Sequence, residues 1–279
     1  MREFIYGYEI EAVVQEQGNA RLLLVQDGEA LVALKTTTTN NHKDRAQFQV
    51  EIECLKKLNH PNIIPLLNSF DDPLGFSMPY VVGDMLVDLI ERESLNSEQI
   101  VTIVTSLFEA LEHIHKQGIL HCDLKPNNVI CTEDRVPILI DFGLAQLRSK
   151  RAAHAVGSTQ YMPPEVMNGQ GWSVAGEIYA LGLICQDMLE HSHQRGHLEQ
   201  IQNIVDRCLQ TEASARPASC SDVLKLLRTP TLSPSKVPSE KSTARQEKPA
   251  QTTSFPQEQK VVLLLLVMVV LGLGFLLLS

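Results

Sequence analysis

The sequence predicts an α+β fold for most of the chain, followed by one transmembrane helix. Residues 32–35 form an apolar stretch that ends in a lysine, which is typical of a β-strand. Residues 46–58 and 97–117 instead carry apolar side chains near helical spacing. An unbroken apolar run of 18 residues occupies positions 261–278. These patterns predict strands and helices in one domain and a separate membrane span.

The net charge and the positions of the cysteines limit the partners and the redox compartment that can be expected for this protein. The 279-residue chain has a net charge of −9, from 33 acidic residues against 24 Lys and Arg, so no nucleic-acid partner is expected. Its first residues contain no apolar region of the kind that marks a cleaved signal peptide. The cysteines are scattered and form no C-x-x-C pair, which predicts free thiols in a reducing compartment. They are Cys54, Cys122, Cys131, Cys185, Cys208 and Cys220.

The most informative stretch lies in the middle of the chain. Residues 121–128 read His-Cys-Asp-Leu-Lys-Pro-Asn-Asn, and residues 140–143 read Ile-Asp-Phe-Gly. The pattern resembles the catalytic loop, H-R-D-L-K-x-x-N, and the D-F-G loop of the eukaryotic-type (Hanks-type) serine/threonine protein kinases. Eight positions match in order, which argues against an ordinary polar loop between strands. The matching residues are His121, Asp123, Leu124, Lys125, Asn128, Asp141, Phe142 and Gly143.

This resemblance implies a two-lobed protein-kinase-like fold, with a small β-rich N-lobe and a helical C-lobe, that uses ATP. Phosphoryl transfer needs an orienting base, metal ligands and positive charge around the phosphates. The resemblance assigns Asp123 as the residue that orients the substrate hydroxyl and Lys125 as the residue that neutralises the transferred group. It assigns Asn128 and Asp141 as ligands of Mg²⁺ or Mn²⁺.

The predicted strand ending at Lys35 resembles the kinase strand whose lysine contacts the α- and β-phosphates of ATP. Residues 46–58 resemble the helix that carries the acidic partner of this lysine, and the alignment selects Glu51. Glu53 lies on another face of the helix and is the less favoured choice. Without the resemblance, either acid reads as an exposed charge on a helix.

Residues 76–84 resemble the hinge that receives adenine. Met78 is the expected gatekeeper, and the carbonyl of Pro79 and the backbone of Val81 are expected to serve the adenine edge. Proline lacks only an N–H, which the adenine contact at that position does not require. Asp84 is expected at the ribose hydroxyls, and Ile130 completes the predicted nucleotide-binding set. The competing interpretation is an ordinary strand followed by a turn.

One expected motif is missing before Lys35. The family pattern G-x-G-x-x-G aligns best with residues 15–20, where Gln15, Gln17 and Ala20 replace the glycines and only an off-register Gly18 remains. Glycine lets a backbone approach phosphates without a Cβ in the way. The loss indicates weak ATP affinity, slow turnover, or a domain that binds partners without catalysis.

The second half of the domain begins with a predicted helix over 97–117, with Ser97 as its N-cap. Residues 157–165 then resemble the kinase motif G-T-x-x-Y-M-A-P-E. The resemblance implies that Ser158 contacts Asp123 and Lys125, and that Glu165 forms a buried ion pair with Arg216.

Two substitutions depart from the family pattern. Glu177 replaces the aspartate expected near the start of a later helix, and its side chain is one methylene longer. Cys122 replaces the arginine that normally pairs with a phosphate on the activation segment. Control by phosphorylation of that segment is therefore not expected.

The composition changes after Arg228, so the predicted kinase domain spans residues 1–228. Residues 229–260 are rich in Ser, Thr, Pro, Lys and Gln, which predicts a disordered linker. Residues 261–278 are long enough to cross a bilayer core as a helix. Basic residues precede this run, so the positive-inside bias places the kinase domain in the cytoplasm.

The preferred interpretation is a single-pass, membrane-anchored serine/threonine protein kinase with a C-terminal anchor. The linker, with ten Ser or Thr residues, is an expected autophosphorylation target. A pseudokinase that acts as a membrane-tethered scaffold is the alternative, because the glycine loop is degraded. A small-molecule kinase is a third reading, which the Pro-Pro-Glu segment at 163–165 disfavours.

Overall fold

The computed structural model describes residues 3–17, 19–39, 41–148, 157–192 and 198–228. The N-terminal part is a six-stranded antiparallel sheet with strand order β1-β2-β3-β4-β6-β5. It confirms the predicted β-rich lobe. The strands are β1 (Phe4–Ile5), β2 (Tyr8–Gln17), β3 (Ala20–Asp27), β4 (Ala30–Thr37), β5 (Asn68–Asp71) and β6 (Leu74–Pro79).

Strand β4 lies in the interior of this sheet and contains the predicted strand over 32–35. Because side chains alternate between the two faces of a strand, Val32 and Leu34 point to one face and Lys35 to the other. Val32 and Leu34 join Leu23 and Val25 of β3 in a small buried core. Lys35 therefore projects from the opposite face of the sheet.

Helix α1 (His42–Leu55) follows the sheet's central strand. It begins four residues before the predicted start, because the side chain of Asn41 accepts a hydrogen bond from the Lys43 backbone and caps the helix. It also ends before the predicted Leu58. Phe48 and Ile52 are buried on the inner side of the helix.

The rest of the domain is mainly helical, as predicted. Its longest helix is capped by Asn96, whose side chain and that of Gln99 form a capping box. The prediction of Ser97 as the N-cap was therefore wrong by one residue. The helices are α2 (Leu86–Glu91), α3 (Ser97–Lys116), α4 (Pro164–Met167), α5 (Val174–Glu190), α6 (Glu199–Cys208) and α7 (Cys220–Arg228).

Two small sheets bring together the loops that carry the sequence motif. One has the order β10-β9-β7 and the other pairs β11 with β8. Residues 121–128 lie between β8 and β9, and residues 140–145 lie between β10 and β11. The short strands thus fix both ends of both loops. Their bounds are β7 (Asp84–Met85), β8 (Ile119–Leu120), β9 (Val129–Cys131), β10 (Pro137–Leu139) and β11 (Gln146–Leu147).

Among the described residues, no helix has the length and apolar character needed to cross a membrane. The predicted linker over 229–260 and the predicted span over 261–278 lie outside the described residues. All six cysteines are free and buried, which confirms the expectation that they form no disulfide.

Candidate active site

A charged triplet connects the sheet, helix α1 and the second motif loop. The Lys35 Nζ atom lies 2.7 Å from Glu51 Oε1 and 3.0 Å from Asp141 Oδ1. The sequence therefore identified the correct partner on α1. Burial lowers the pKa of Lys35, but Glu51 and Asp141 outweigh it and raise that pKa well above its ordinary value. Lys35 is thus a permanent cation facing the cleft.

Asp141 remains ionised in this environment. Burial raises the pKa of its carboxyl, but the charge of Lys35 and its hydrogen bond, with a further bond from the Gly143 backbone, lower it to about 2. The Gly143 N–H donates to Asp141 Oδ1 at 3.1 Å. The carboxylate is therefore held at the start of its loop as a charged oxygen ligand.

The second cluster surrounds Asp123 in the loop between β8 and β9. Ser158 donates to Asp123 Oδ1 from both its hydroxyl and its backbone N–H, each at 2.9 Å. Lys125 Nζ donates to Asp123 Oδ2 at 2.8 Å and to Ser158 Oγ at 3.0 Å. The predicted contact of Ser158 with the aspartate and the lysine is present.

These contacts decide the charge of Asp123. Burial raises the pKa of its carboxyl, but the hydrogen bond and charge of Lys125 and the two hydrogen bonds from Ser158 lower that pKa below its ordinary value. Asp123 is consequently a carboxylate at neutral pH. It can accept a hydrogen bond from a hydroxyl group and orient its oxygen.

Asn128 ends the first loop and supports it from within. Its Nδ2 donates to the backbone oxygen of Asp123 at 2.8 Å and to Asp123 Oδ2 at 3.1 Å. Since the nitrogen is used in this way, the amide oxygen is turned away from Asp123. The Asn128 amide oxygen and the Asp141 carboxylate are hard oxygen donors of the kind that Mg²⁺ prefers. The donor set fits the predicted metal.

Glu177 of α5 forms a hydrogen bond with the backbone of the loop that contains Asp123. Its Oε1 accepts from the Cys122 N–H at 2.7 Å, and its Oε2 lies 2.7 Å from His115 Nε2. All three residues are buried. The longer glutamate therefore still reaches the loop backbone. Sequence reasoning missed His115, because its only signal was a polar residue on an apolar helix.

Cys122, which replaces the arginine of the family pattern, also has an unusual backbone conformation. This residue has a φ of 65°, a conformation that non-glycine residues rarely adopt. Burial raises the pKa of its thiol far above the ordinary value. A neutral, buried thiol offers no positive charge to a phosphate, and the absence of control by phosphorylation of the activation segment stays a prediction.

The segment after Ser158 is anchored by a buried ion pair. Arg216 donates to both carboxylate oxygens of Glu165, at 2.7 and 2.9 Å, and its side chain is fully buried. The same guanidinium donates to the backbone oxygens of Gln210, Thr211 and Ala175. The predicted pair is confirmed, and five hydrogen bonds compensate the burial of its charge.

The predicted hinge is only partly organised as expected. Met78 and Pro79 end strand β6, and Val81 packs against the main core. The Asp84 carboxylate, however, lies 3.0 Å from Arg135 and 3.6 Å from Arg92.

The strand register bears on the predicted role of Asp84. Asp84 pairs with Cys131, whereas Met85 pairs with Ile130. Paired residues share a face and neighbours alternate, so Asp84 and Ile130 lie on opposite faces of this sheet. Met85 shares the face of Ile130, and the ribose contact of Asp84 stays a prediction.

The roof of the cleft is a β-hairpin. Gln15 pairs with Leu22, and Gln17 pairs with Ala20 across a tight turn. Leu22 also pairs with Lys35, so Ala20 and Leu22 share the face that carries the lysine. Gly18 lies outside the described residues. The strands of the hairpin are therefore paired at Gln15, Gln17 and Ala20, the three positions where the family pattern has glycines.

Comparison with known proteins identifies this arrangement. The sequence model of the family described as "Protein kinase domain" matches residues 16–247. The chain belongs to this protein kinase family. The match covers most of the described residues and includes both motif loops.

Many curated relatives of the chain are named as serine/threonine-protein kinases. Pkn3 of Myxococcus xanthus is 31% identical over 205 residues, which cover 66% of this chain and 38% of the relative. The DNA damage-responsive kinase RqkA of Deinococcus radiodurans is 32% identical, over 63% of this chain and 29% of the relative. A probable kinase, PknB, of Lactococcus lactis is 30% identical, over 67% and 32%. The chain matches only about a third of the length of these relatives. The family model and these names together support the expectation of an ATP-dependent serine/threonine protein kinase.

Proposed function

We propose that this protein is a serine/threonine kinase that transfers the γ-phosphate of ATP to hydroxyl groups of protein substrates. The observation that carries the proposal is the ionised Asp123 carboxylate, held by Lys125, Asn128 and Ser158. The charged triplet of Lys35, Glu51 and Asp141 is formed in the same domain. The names of the relatives support a serine/threonine substrate.

The residues divide the work of phosphoryl transfer as follows. Lys35, kept in place by Glu51, contacts the phosphates, and Asp123 accepts a hydrogen bond from the substrate hydroxyl and takes its proton. Lys125 lies within hydrogen-bond distance of Asp123 and Ser158 and supplies positive charge to the transferred group. Asn128 and Asp141 would hold Mg²⁺ or Mn²⁺, which neutralises phosphate charge when bound.

A transfer assay tests this function. The full-length chain in detergent is incubated with γ-labelled ATP, a generic protein substrate, and Mg²⁺, Mn²⁺ or excess EDTA. We expect metal-dependent labelling of serine or threonine, and an increase in melting temperature when ATP and metal are added. ATP-induced stabilisation without any labelling would contradict catalysis and favour the alternative below.

The alternative is a pseudokinase that binds partners without transferring phosphate. The glycine-poor hairpin over residues 15–20 is the observation that favours it. The retained set of Lys35, Glu51, Asp123 and Asp141 favours catalysis, because a scaffold has no need of this charge arrangement. The same assay separates the two functions.

We further propose that residues 261–278 anchor the protein in a membrane with the kinase domain on the cytoplasmic side. The 18-residue apolar run and the basic residues before it support this topology. Protease treatment of sealed vesicles carrying the chain tests it. We expect digestion of the domain from the cytoplasmic side only, and a domain that survives such treatment contradicts the orientation.

Autophosphorylation of residues 229–260 follows from the same proposal. Ten Ser or Thr residues there are tethered to the kinase domain, which gives them a high effective concentration. Phosphopeptide mapping after incubation with ATP and Mg²⁺ should find modified sites in this segment. Modification confined to residues 1–228 contradicts the prediction.

A further inference from the structure

Helix α1 is attached to the active site at two points on one face. Glu51 binds Lys35, and one turn earlier the Gln47 side chain donates from Nε2 to the backbone oxygen of Gly143 at 2.8 Å. Residues four apart lie on the same side of a helix. The two contacts therefore fix both the position and the rotation of α1 against the catalytic cleft.

Gly143 is the residue through which the second contact reaches Asp141. Its N–H donates to Asp141 Oδ1 at 3.1 Å, while its carbonyl oxygen accepts from Gln47. Gly143 is thus held on both sides of its Cα atom. A Cβ added at this position would lie 3.2 Å from Asp141 Oδ1 and 3.5 Å from Lys35 Nζ. The loop therefore passes close to the charged triplet, with little room for a side chain at this position.

The chain has another way to place α1 than a phosphorylated activation segment. Position 122 carries a buried, neutral thiol. The contact between Gln47 and Gly143 requires no modified residue. Helix α1 also packs against β11, the strand that follows this loop.

We propose that Gln47 is a positioning residue that keeps α1 and the Asp141 loop aligned for phosphoryl transfer without phosphorylation of the activation segment. This inference rests on the proposed kinase function. Gln47 itself touches neither substrate nor metal in this proposal. It acts through Gly143 on Asp141, and through the orientation of α1 on Glu51 and Lys35.

Substitution of Gln47 in the full-length chain tests the proposal. Gln47→Met keeps the length of the side chain but removes the donor, and Gln47→Lys keeps a donor. Gln49→Met is the matched control, because Gln49 is an exposed glutamine on the same helix. Loss of this one solvent-exposed hydrogen bond predicts a decrease in kcat of about 3- to 10-fold for Gln47→Met. Gln47→Lys should retain at least about half of the activity, and Gln49→Met all of it.

Phosphatase treatment provides the second kinetic arm. The ratio of Gln47→Met activity to unsubstituted activity should be the same before and after treatment, and the treated, unsubstituted protein should remain active. Equal activity of Gln47→Met and Gln49→Met would overturn the proposal. So would complete loss of activity on dephosphorylation of the unsubstituted chain.

Hydrogen exchange separates failure of this inference from failure of the proposed kinase function. Gln47→Met should accelerate exchange several-fold in residues 141–145 and in α1, whereas Gln49→Met should leave both unchanged. This result is independent of catalysis. If the chain transfers no phosphate but exchange is faster in Gln47→Met, the kinase function is refuted and the contact between Gln47 and Gly143 is supported. Unchanged exchange in Gln47→Met refutes the contact even if the chain is an active kinase.

Discussion

Two regions of the active site are organised in different ways. We call them the floor, which is the loop that contains Asp123, and the roof, which is the β2–β3 hairpin. On the floor, Asp123 is surrounded by side-chain donors from Lys125, Asn128 and Ser158. The roof is the β2–β3 hairpin, whose organisation comes from backbone pairing between residues such as Gln15 and Leu22. The floor therefore depends on the identity of individual side chains, whereas the roof is organised mainly by its backbone.

This difference explains how one chain keeps the kinase motif loops and lacks the glycine pattern. In the proposed reaction, the charged groups on the floor and the cation Lys35 on β4 would supply the electrostatic part of phosphoryl transfer. In the same proposal, the hairpin would contribute a surface over the nucleotide and exclude water from it. We therefore expect substitutions on the floor to have much larger effects than substitutions on the roof.

The largest effect is expected for Asp123→Asn. The amide removes the negative charge that accepts the proton, so kcat should fall about 10²- to 10⁴-fold with little change in melting temperature. Asp134→Asn, at an exposed position in the turn after β9, is the control and should be fully active. Substantial activity in Asp123→Asn would assign the base role to another residue.

Glu165→Gln should cause the largest loss of stability. It leaves the buried Arg216 guanidinium without its counter-charge, which typically costs about 3–5 kcal/mol in the free energy of unfolding. Urea denaturation of both proteins measures the loss, and Glu212→Gln at an exposed site is the control. A loss below about 1 kcal/mol would mean that the backbone acceptors around Arg216 suffice to hold it.

Ser158→Ala should reduce kcat by about 10- to 100-fold. The variant loses a charge-assisted hydrogen bond to Asp123 Oδ1 but keeps the one from the backbone N–H. Ser158→Thr keeps the hydroxyl and should restore most of the rate. If alanine and threonine behave alike, the hydroxyl has no part in orienting Asp123.

The pH profile should respond to Lys125→Met. The pKa of Asp123 lies below its ordinary value of 3.8 because Lys125 and Ser158 outweigh burial. The carboxylate therefore persists as pH falls, and the acid limb of kcat/KM lies below the usual carboxyl range. Removing the cation raises this pKa, so the limb should move to higher pH in Lys125→Met. An unmoved limb would show that a different group controls it.

The smallest effect is expected on the roof, for Gln15→Gly. Gln15 lies within β2 and pairs with Leu22, so the backbone at this position is held by strand pairing whichever side chain it carries. The KM for ATP should change by less than about threefold, the range of one weak strand substitution. A tenfold improvement would show instead that the missing glycine limits nucleotide binding, and that roof and floor are equally sensitive.

The sequence predicted those parts of the site in which residue type determines the contact. The pairing of Lys35 with Glu51 and the ion pair of Glu165 with Arg216 were both predicted, because the resemblance to the kinase motifs assigned a partner to each charged residue. The fold class followed from the same motif resemblance.

Other features depend on geometry that residue type does not encode. Arg135 reaches Asp84 from the turn after β9, the partner of β7, and Arg92 reaches it from the end of α2, and a single strand pattern specifies neither contact. Gln47 reaches Gly143 only because α1 packs beside the second loop. The cap at Asn96 was missed in favour of Ser97 because both residue types favour N-caps, and the capping box with Gln99 decides between them.

The reactivity of the six buried cysteines can be used to detect transient opening of the domain. Each thiol is shielded from solvent, and burial raises the pKa of five of them, so a thiol-reactive dye should modify the native domain only when it transiently opens. Cys54 lies on α1, whereas Cys185 and Cys220 lie in helices of the C-lobe. The order in which these sites are labelled would show which lobe unfolds first, with no cysteine introduced.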